Sequence, residues 1–542
     1  MKKQEFINGA IVATIAIIAS KILGLLYVIP FYRIIGENGG ALYGYAYNIY
    51  NFFLIISSAG IPLAISKLTS EYNTLGMNKE KSFMFKYTKR IIQVFSVVSF
   101  LICFLGAPIL ANIIVGDLTG GNTVSDVAFV IRCVSFAILV VPLLSISRGY
   151  LQGHKYITTP SVSQVIEQGV RVLVIVFGSL MAIKLFNLPI VTAVGIAVSG
   201  ACVGAIVAYI YLLLKMRKVK KDIITPLEEE FSREKKKEIF RKIIAYCIPF
   251  IVINVANSLY NFIDMVLVIK GLNIIGFNPV DIETISSVFT TWGSKLISVV
   301  TAIATGLVVS LIPSIVEAFT KKEMKEVNDQ FNKTLQVLLY VILPLSIFLS
   351  IFAKEVWGIF YGESVFGPKI FQFTILLAIL DSAYIMIGSA LQGLSKTKLI
   401  YISVALGLST KAILNVPMIL LFNKLGLPPY YGATFASFLG YMLSVGMPLV
   451  VLYKKYNFNY SKTIKSLPRL CINLIILITI ALVFKHFVFS LKLSKLFIFI
   501  YLAFIGLSLT VVYYLLNKEL LYDLVGKRVI NRLKKGKLPK VK

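Results

Sequence analysis

Residues 127–153 read VAFVIRCVSFAILVVPLLSISRGYLQG, and this stretch decides the fold. From Cys133 to Ser147 it carries no charge, and it has no charge-rich breaks of the kind that bound a soluble helix. A helix rising about 1.5 Å per residue needs roughly 20 such residues to cross the ~30 Å hydrocarbon core of a bilayer. The run ends in Leu151-Gln152-Gly153, and the same three letters end another apolar run at Leu391-Gln392-Gly393. One segment therefore predicts both a membrane-spanning helix and an internal duplication.

The rest of the chain fits that reading. Of its 542 residues 57% are hydrophobic and only 15% charged, and mean hydropathy is +0.83. This composition excludes a soluble enzyme on one anchor, a disordered chain and a secreted disulfide scaffold, and no segment is long enough for a sizeable soluble catalytic domain. Apolar runs and polar breaks predict an all-α polytopic membrane protein with fourteen spans: 7–31, 41–66, 91–115, 127–150, 161–186, 191–214, 243–269, 286–318, 334–360, 370–391, 400–422, 431–453, 467–489 and 496–516. The first run is too long for a signal-peptide core and no small-residue cleavage site follows it, so it reads as a helix.

The 55 Lys and Arg against 25 Asp and Glu give a net charge of +30. Their distribution argues for topology and against nucleic acid. With the N-terminus inside, about 41 basic residues fall on inner segments and about 8 on outer ones. Both termini are then cytoplasmic, in a protein of the cell membrane. The longest inner segment, 215–242, is strongly basic and also suits anionic lipid headgroups.

That basic segment divides the chain into an N-terminal six-helix lobe (1–214), the linker 215–242, a second six-helix lobe (243–453), two additional helices (454–517) and a basic tail (518–542). At the offset that aligns the two Leu-Gln-Gly triplets, Arg171 falls on Lys411. SSAGIPLAISKL at 57–68 loosely matches ATGLVVSLIPSI at 304–315. Six helices is an even number, so both lobes insert the same way round. Their pseudo-twofold axis would run along the membrane normal, around a cavity that opens to alternate sides.

No enzymatic signature is present: no phosphate-binding Walker loop, no HExxH, no nucleophile elbow. The five cysteines are odd in number and scattered through apolar runs, and His154 and His486 form no metal-ligand pattern. Gly36-Glu37-Asn38-Gly39-Gly40 reads as a turn between two spans. No cofactor is expected. Energy would come from a Na+ or H+ gradient, the membrane potential or the gradient of the substrate itself.

The candidate functional residues are ionisable groups inside spans, each costing roughly 3 kcal/mol or more at the bilayer centre. Lys21 and Lys295 lie deep in the first and eighth spans, and Arg171 and Lys411 occupy equivalent repeat positions. Glu167, Asp264 and Asp381 are the acids. Glu167 and Arg171 stand i,i+4 on one helix face and can neutralise each other. The two aspartates would either pair with cavity cations or couple an ion. Arg132, Lys354 and Glu355 lie nearer span ends, at the interface. Cations lining a wet cavity would attract an anion, and lysine offers a compact charge suited to diphosphate.

At these residues the chain resembles a known family. Ser20-Lys21-Ile22-Leu23-Gly24, then Pro30-Phe31, Gly36 and GGALYGYAYNIYNFFLIISSAGIPLAISKLTSEYN, are similar to the lipid II flippases of the MurJ type in the form found in Gram-positive bacteria. VIRCVSFAILVVPLLSISRGYLQGHKYITTPSVSQVIEQGVRV and WGSKLISVVTAIATGLVVSLIPSIVE extend the likeness. The resemblance places the chain among the multidrug, oligosaccharidyl-lipid and polysaccharide exporters. It implies two lobes that rock around a central cavity, cavity cations that hold a diphosphate, and a lipid-tail groove on helices thirteen and fourteen. Lys21 and Lys295 match the family's cationic positions on helices one and eight. Arginine-rich members carry further arginines on helices one and two, where this chain has Tyr27 and the uncharged stretch 48–58, so Arg33, Arg171 or Lys411 would supply the remaining charge. The implied partners are a lipid-linked oligosaccharide diphosphate, membrane lipids and cell-wall synthesis machinery. Competing readings are a flippase for another lipid-linked oligosaccharide (capsule, teichoic or spore-cortex), a drug/cation antiporter using Asp264 and Asp381, and a scaffold recruiting cell-wall enzymes.

Overall fold

The computed structural model describes residues 16, 19–20, 22–58, 60–116, 118, 121–219, 223, 232–489 and 495–525. These residues are helical throughout, apart from short turns, and contain no strand. The helices of the first half are α1 (Val28–Ser58), α2 (Ile61–Thr74), α3 (Asn78–Leu105), α4 (Ala107–Val115), α5 (Val124–Gly153), α6 (Thr158–Leu173) and α7 (Ile190–Lys218). There follow α8 (Arg233–Ile274), α9 (Pro279–Ser287), α10 (Gly293–Thr320), α11 (Met324–Ile351), α12 (Ala353–Phe360), α13 (Gly367–Thr374) and α14 (Leu377–Gly393). The last four are α15 (Thr397–Lys424), α16 (Tyr430–Tyr456), α17 (Ser461–Phe489) and α18 (Lys495–Val525). Among the described residues ten helices are long and apolar enough to cross a membrane, or eleven if α13 and α14, bent by 40°, form one span.

Several expected spans are interrupted, each for a local reason. The span expected at 41–66 breaks at Gly60, whose φ of 76° is left-handed, and Pro62 opens the next helix where its missing N–H costs nothing. The span expected at 91–115 breaks at Gly106, again with a proline in the first turn of the helix that follows. The turn expected at Gly36–Gly40 is shorter than the sequence suggests. Only Gly36 leaves helical geometry (φ 67°, ψ −172°), and α1 continues on both sides of it. After α6 the fifth span loosens into two π-helical turns, Val174–Gly178 and Met181–Leu185.

Helix α5 is the hub of the first half, in contact with α1, α2, α3, α4 and α7. Most of its surface is buried, and Phe129, Arg132 and Phe136 form an exposed face along one side. Gly149 and Gly153, four apart, make the approach to α2 possible. A Cβ at Gly149 would collide with the Pro62 backbone, and one at Gly153 would lie 2.5 Å from Thr69 Cβ. This is small-residue packing of the kind membrane helices use. Thr123 and Asp126 cap α5 reciprocally, the Asp126 N–H donating to Thr123 Oγ1 (3.2 Å) and the Thr123 N–H to Asp126 Oδ2 (3.0 Å).

At the 240-residue offset of the Leu-Gln-Gly triplets, positive-φ residues coincide at Gly36 and Gly276 and at Lys155 and Ser395. At the Leu-Gln-Gly triplets the hydrogen bonds also repeat. Tyr156 N–H donates to Leu151 O (3.0 Å) and Lys396 N–H to Leu391 O (2.8 Å), closing the same helix-ending turn. The chain forms two compact units, residues 1–291 and 292–542. Their boundary falls in the π-helical turn Val288–Trp292, inside the expected eighth span and not in the basic segment 215–242.

Candidate functional site

The densest ionic cluster of the first unit sits where α5, α6 and α7 meet. Gly200 and Gly204 of α7 let α6 come close: a Cβ at Gly204 would stand 2.6 Å from the Glu167 carbonyl oxygen. That approach buries Glu167 between two arginines. Arg171 Nη2 donates to Glu167 Oε1 at 2.7 Å, and Arg148 Nη1 reaches Glu167 Oε2 at 2.9 Å. Arg148 Nε also donates to Ser163 Oγ (2.8 Å), which pins the guanidinium across the α5–α6 contact. The three side chains are only 11–17% exposed and together carry a net charge of +1. Such charges are tolerated in an apolar interior only when paired and hydrogen-bonded.

A layer of tyrosines faces this cluster. Tyr43, Tyr47 and Tyr50 lie one helical turn apart on α1, close enough to Arg171 to interact with it electrostatically. The Tyr43 and Tyr47 rings stack at 5.6 Å, and Tyr27 and Tyr43 share a hydrogen bond between hydroxyls at 3.1 Å. Arg171 is therefore held by a carboxylate on one side and bordered by phenols on the other. Such a surface offers charge and hydroxyl groups to an anion.

In the second unit, Lys295 lies in the first turn of α10, directly after the π-helical turn. Its ammonium sits 4.4 Å from the centroid of the Trp292 ring, a cation–π contact. Trp292 is fully buried, and its carbonyl accepts a hydrogen bond from Tyr361 Oη at 2.7 Å, so the ring under the lysine is fixed. Lys411 is buried on α15. Asp264 is buried on α8, and Asp381 on α14 is hydrogen-bonded by Tyr441. Arg33 is exposed, one turn before the break at Gly36. Lys21 lies outside the described residues.

Glu167 and Arg171 are thus brought together, and Arg148 joins them, although the sequence reading did not single it out. Its only sequence signal is a lone arginine just inside the end of an apolar run. Trp292, three residues before Lys295, was also overlooked, although i,i+3 spacing puts both on one helix face.

The second unit also holds an apolar cavity of about 460 Å³ between α11, α17 and α18. Pro344, Phe348, Leu477, Ala481, Leu509 and Tyr513 are among the residues lining it. It would accept a hydrocarbon chain. Among the described residues no group of three or more His, Cys, Asp and Glu could hold a metal ion.

Comparison with known proteins places this architecture. Residues 6–277 match the family described as "Polysaccharide biosynthesis protein". The chain is 30% identical over 469 residues to the lipid II flippase MurJ of Bacillus subtilis (strain 168), covering 85% of each chain. It is 23% identical over 278 residues to stage V sporulation protein B of the same organism, covering 51% of each. Among solved structures, the lipid II flippase MurJ in an inward closed conformation superposes with a TM-score of 0.68 at 15% identity, over 95% of this chain and all of that one. This last likeness bears on the fold alone. A transporter fold, near-full-length similarity and buried ionic groups lead to one conclusion: the chain belongs to the polysaccharide biosynthesis protein family and, within it, to the MurJ-type lipid II flippases, multi-pass transporters of the cytoplasmic membrane and not enzymes.

Proposed function

We propose that this protein moves lipid II, a muropeptide carried on undecaprenyl diphosphate, from the inner to the outer leaflet by alternating access. The proposal includes fourteen spans in two six-helix lobes about a pseudo-twofold along the membrane normal, with both termini cytoplasmic. The observation that carries the reading is similarity to a relative named as a lipid II flippase over 85% of both chains. The interior chemistry supports it. Lys295 on its tryptophan, buried Lys411 and the Arg148–Glu167–Arg171 cluster supply positive charge of the kind a diphosphate requires. The cavity between α11, α17 and α18 offers room for prenyl carbons. Lys21 would face the same anion, and Asp264 and Asp381 would balance charge or couple Na+ or H+.

The test is complementation of a conditional flippase-depleted strain. Lys21→Ala and Lys295→Ala are each expected to abolish growth while the protein remains in the membrane; full growth of both variants rejects the cation site. Partial similarity to stage V sporulation protein B favours one second reading, a different lipid-linked oligosaccharide as cargo. Introducing the gene into strains lacking each pathway separates the two.

A further inference from the structure

One buried carboxylate takes no part in the cation site. Glu283, on α9, is 1% exposed. Its Oε1 accepts the backbone N–H of Asn122 at 3.0 Å and its Oε2 accepts Asn122 Nδ2 at 2.7 Å. The same Asn122 amide donates to Asn38 Oδ1 (2.7 Å) and to Asn38 O (3.3 Å). Three segments that the orientation proposed above puts on the outer side thus meet at one carboxylate: the region of the Gly36 break, the turn before α5, and α9. The seat is close-fitting, since a Cβ at Gly121 would lie 2.7 Å from the Glu283 carboxyl carbon. Among the described residues the ionisable groups that interact with it are Asp126 and Tyr45, neither of them a cation.

As permanent glue this arrangement is a poor choice. Burying a carboxylate against neutral amides forfeits its hydration, and an apolar residue of similar volume often holds a structure as well or better. A contact that must open and close has the opposite requirement. When a carboxylate clasp opens, water replaces the lost hydrogen bonds, so the closed and open states stay near balance; an apolar interlock would oppose opening in proportion to its buried area. Alongside the buried Ile282 and Ile285 of α9, a second contact of this region is also polar. Thr291, just past α9, meets α1 through a hydrogen bond from Asn48 Nδ2 (3.1 Å) and close approach to Gly44, where a Cβ would fall 2.6 Å from Thr291 Oγ1. Thr291 itself belongs to the π-helical turn Val288–Trp292, and there the compact unit containing α1 ends. Such turns are weak points of helices and recur at functional sites.

We propose that Glu283 is a gate residue of the transport cycle: its carboxylate clasps Asn122 to hold α9 against α1 while the outer side is closed, and releases it, with α9 hinging at Val288–Trp292, when the cargo site turns outward. The proposal rests on the flippase reading for its meaning but can be read without any cargo. In a chain whose native cysteines are replaced by alanine, Thr291→Cys reports on the seat, because Thr291 is buried while α9 is closed. In right-side-out vesicles, adding Glu283→Gln should speed its labelling by a membrane-impermeant maleimide at least tenfold; an unchanged rate overturns the gate. If Glu283→Gln does not reach the membrane, Asn122→Ala decides by the same criterion. A second experiment separates a gate from a static contact. Bridging Asn122→Cys and Glu283→Cys with a short bis-methanethiosulfonate should stop lipid II translocation at least tenfold, with recovery on reduction. Translocation unaffected by the bridge overturns the proposal. If the wild-type protein moves no lipid II, the substrate reading falls and the labelling result still judges the gate.

Discussion

The two halves of the chain turn at corresponding places but distribute charge differently. Lys155 and Ser395 adopt the same left-handed geometry after the same Leu-Gln-Gly triplet, and helices α6 and α15 begin at Thr158 and Thr397. At the offset of the triplets, however, Arg148, Glu167 and Arg171 fall on Gly388, Gly407 and Lys411. The three members of the ionic cluster in one half correspond to two glycines and a lysine in the other. Gly204, which admits α6 beside the cluster, falls on Ser444, whose hydroxyl instead donates to the Ser403 carbonyl at 3.0 Å. The shared turn geometry therefore does not require the cluster. The Arg148–Glu167–Arg171 arrangement is a property of one half, as expected if an asymmetric cargo with one charged end uses the two halves unequally.

This comparison can be broken most sharply at Glu167. Glu167→Gln removes the countercharge from two buried guanidinium groups, which in comparable buried ion pairs costs about 3–5 kcal/mol. The thermal midpoint of the purified protein should fall accordingly, and an unchanged midpoint would mean that the arginines do not need the carboxylate. A smaller contrast lies at the helix contacts. Gly204→Ala should cost about 1–3 kcal/mol, because the new methyl overpacks against the Glu167 carbonyl. Ser444→Ala loses one hydrogen bond, worth about 1 kcal/mol. Equal melting shifts would show that the two contacts are equivalent after all. The least effect is expected at the shared turn. Lys155→Ser installs the residue that already occupies the matching position, and stability should stay within about 0.5 kcal/mol. A larger loss would mean that Lys155 has a structural role that Ser395 lacks.

Much of this was legible in the sequence. The all-helical, multi-pass architecture followed from apolar runs, and the Glu167–Arg171 pair from i,i+4 spacing. The helix breaks at Gly60 and Gly106 were harder to read, because glycine and proline are tolerated inside membrane helices and only tertiary packing decides whether the helix bends or stops. Arg148 was hidden for a related reason. Its partnership with Glu167 depends on how closely α5, α6 and α7 approach, which the glycines at 200 and 204 control from a helix that carries none of the charge. The Glu283 clasp joins residues 161 positions apart through a backbone N–H, a partner that no side-chain pattern displays.

The central claim is that membrane-embedded cations engage a phosphorylated, lipid-linked passenger. It is tested most directly by leaflet-resolved detection of labelled lipid II in vesicles reconstituted with the purified protein, wild type beside Lys295→Ala. The account predicts transfer by the wild type and at least a tenfold slower transfer by a variant that still folds. Equal transfer by both proteins would contradict it.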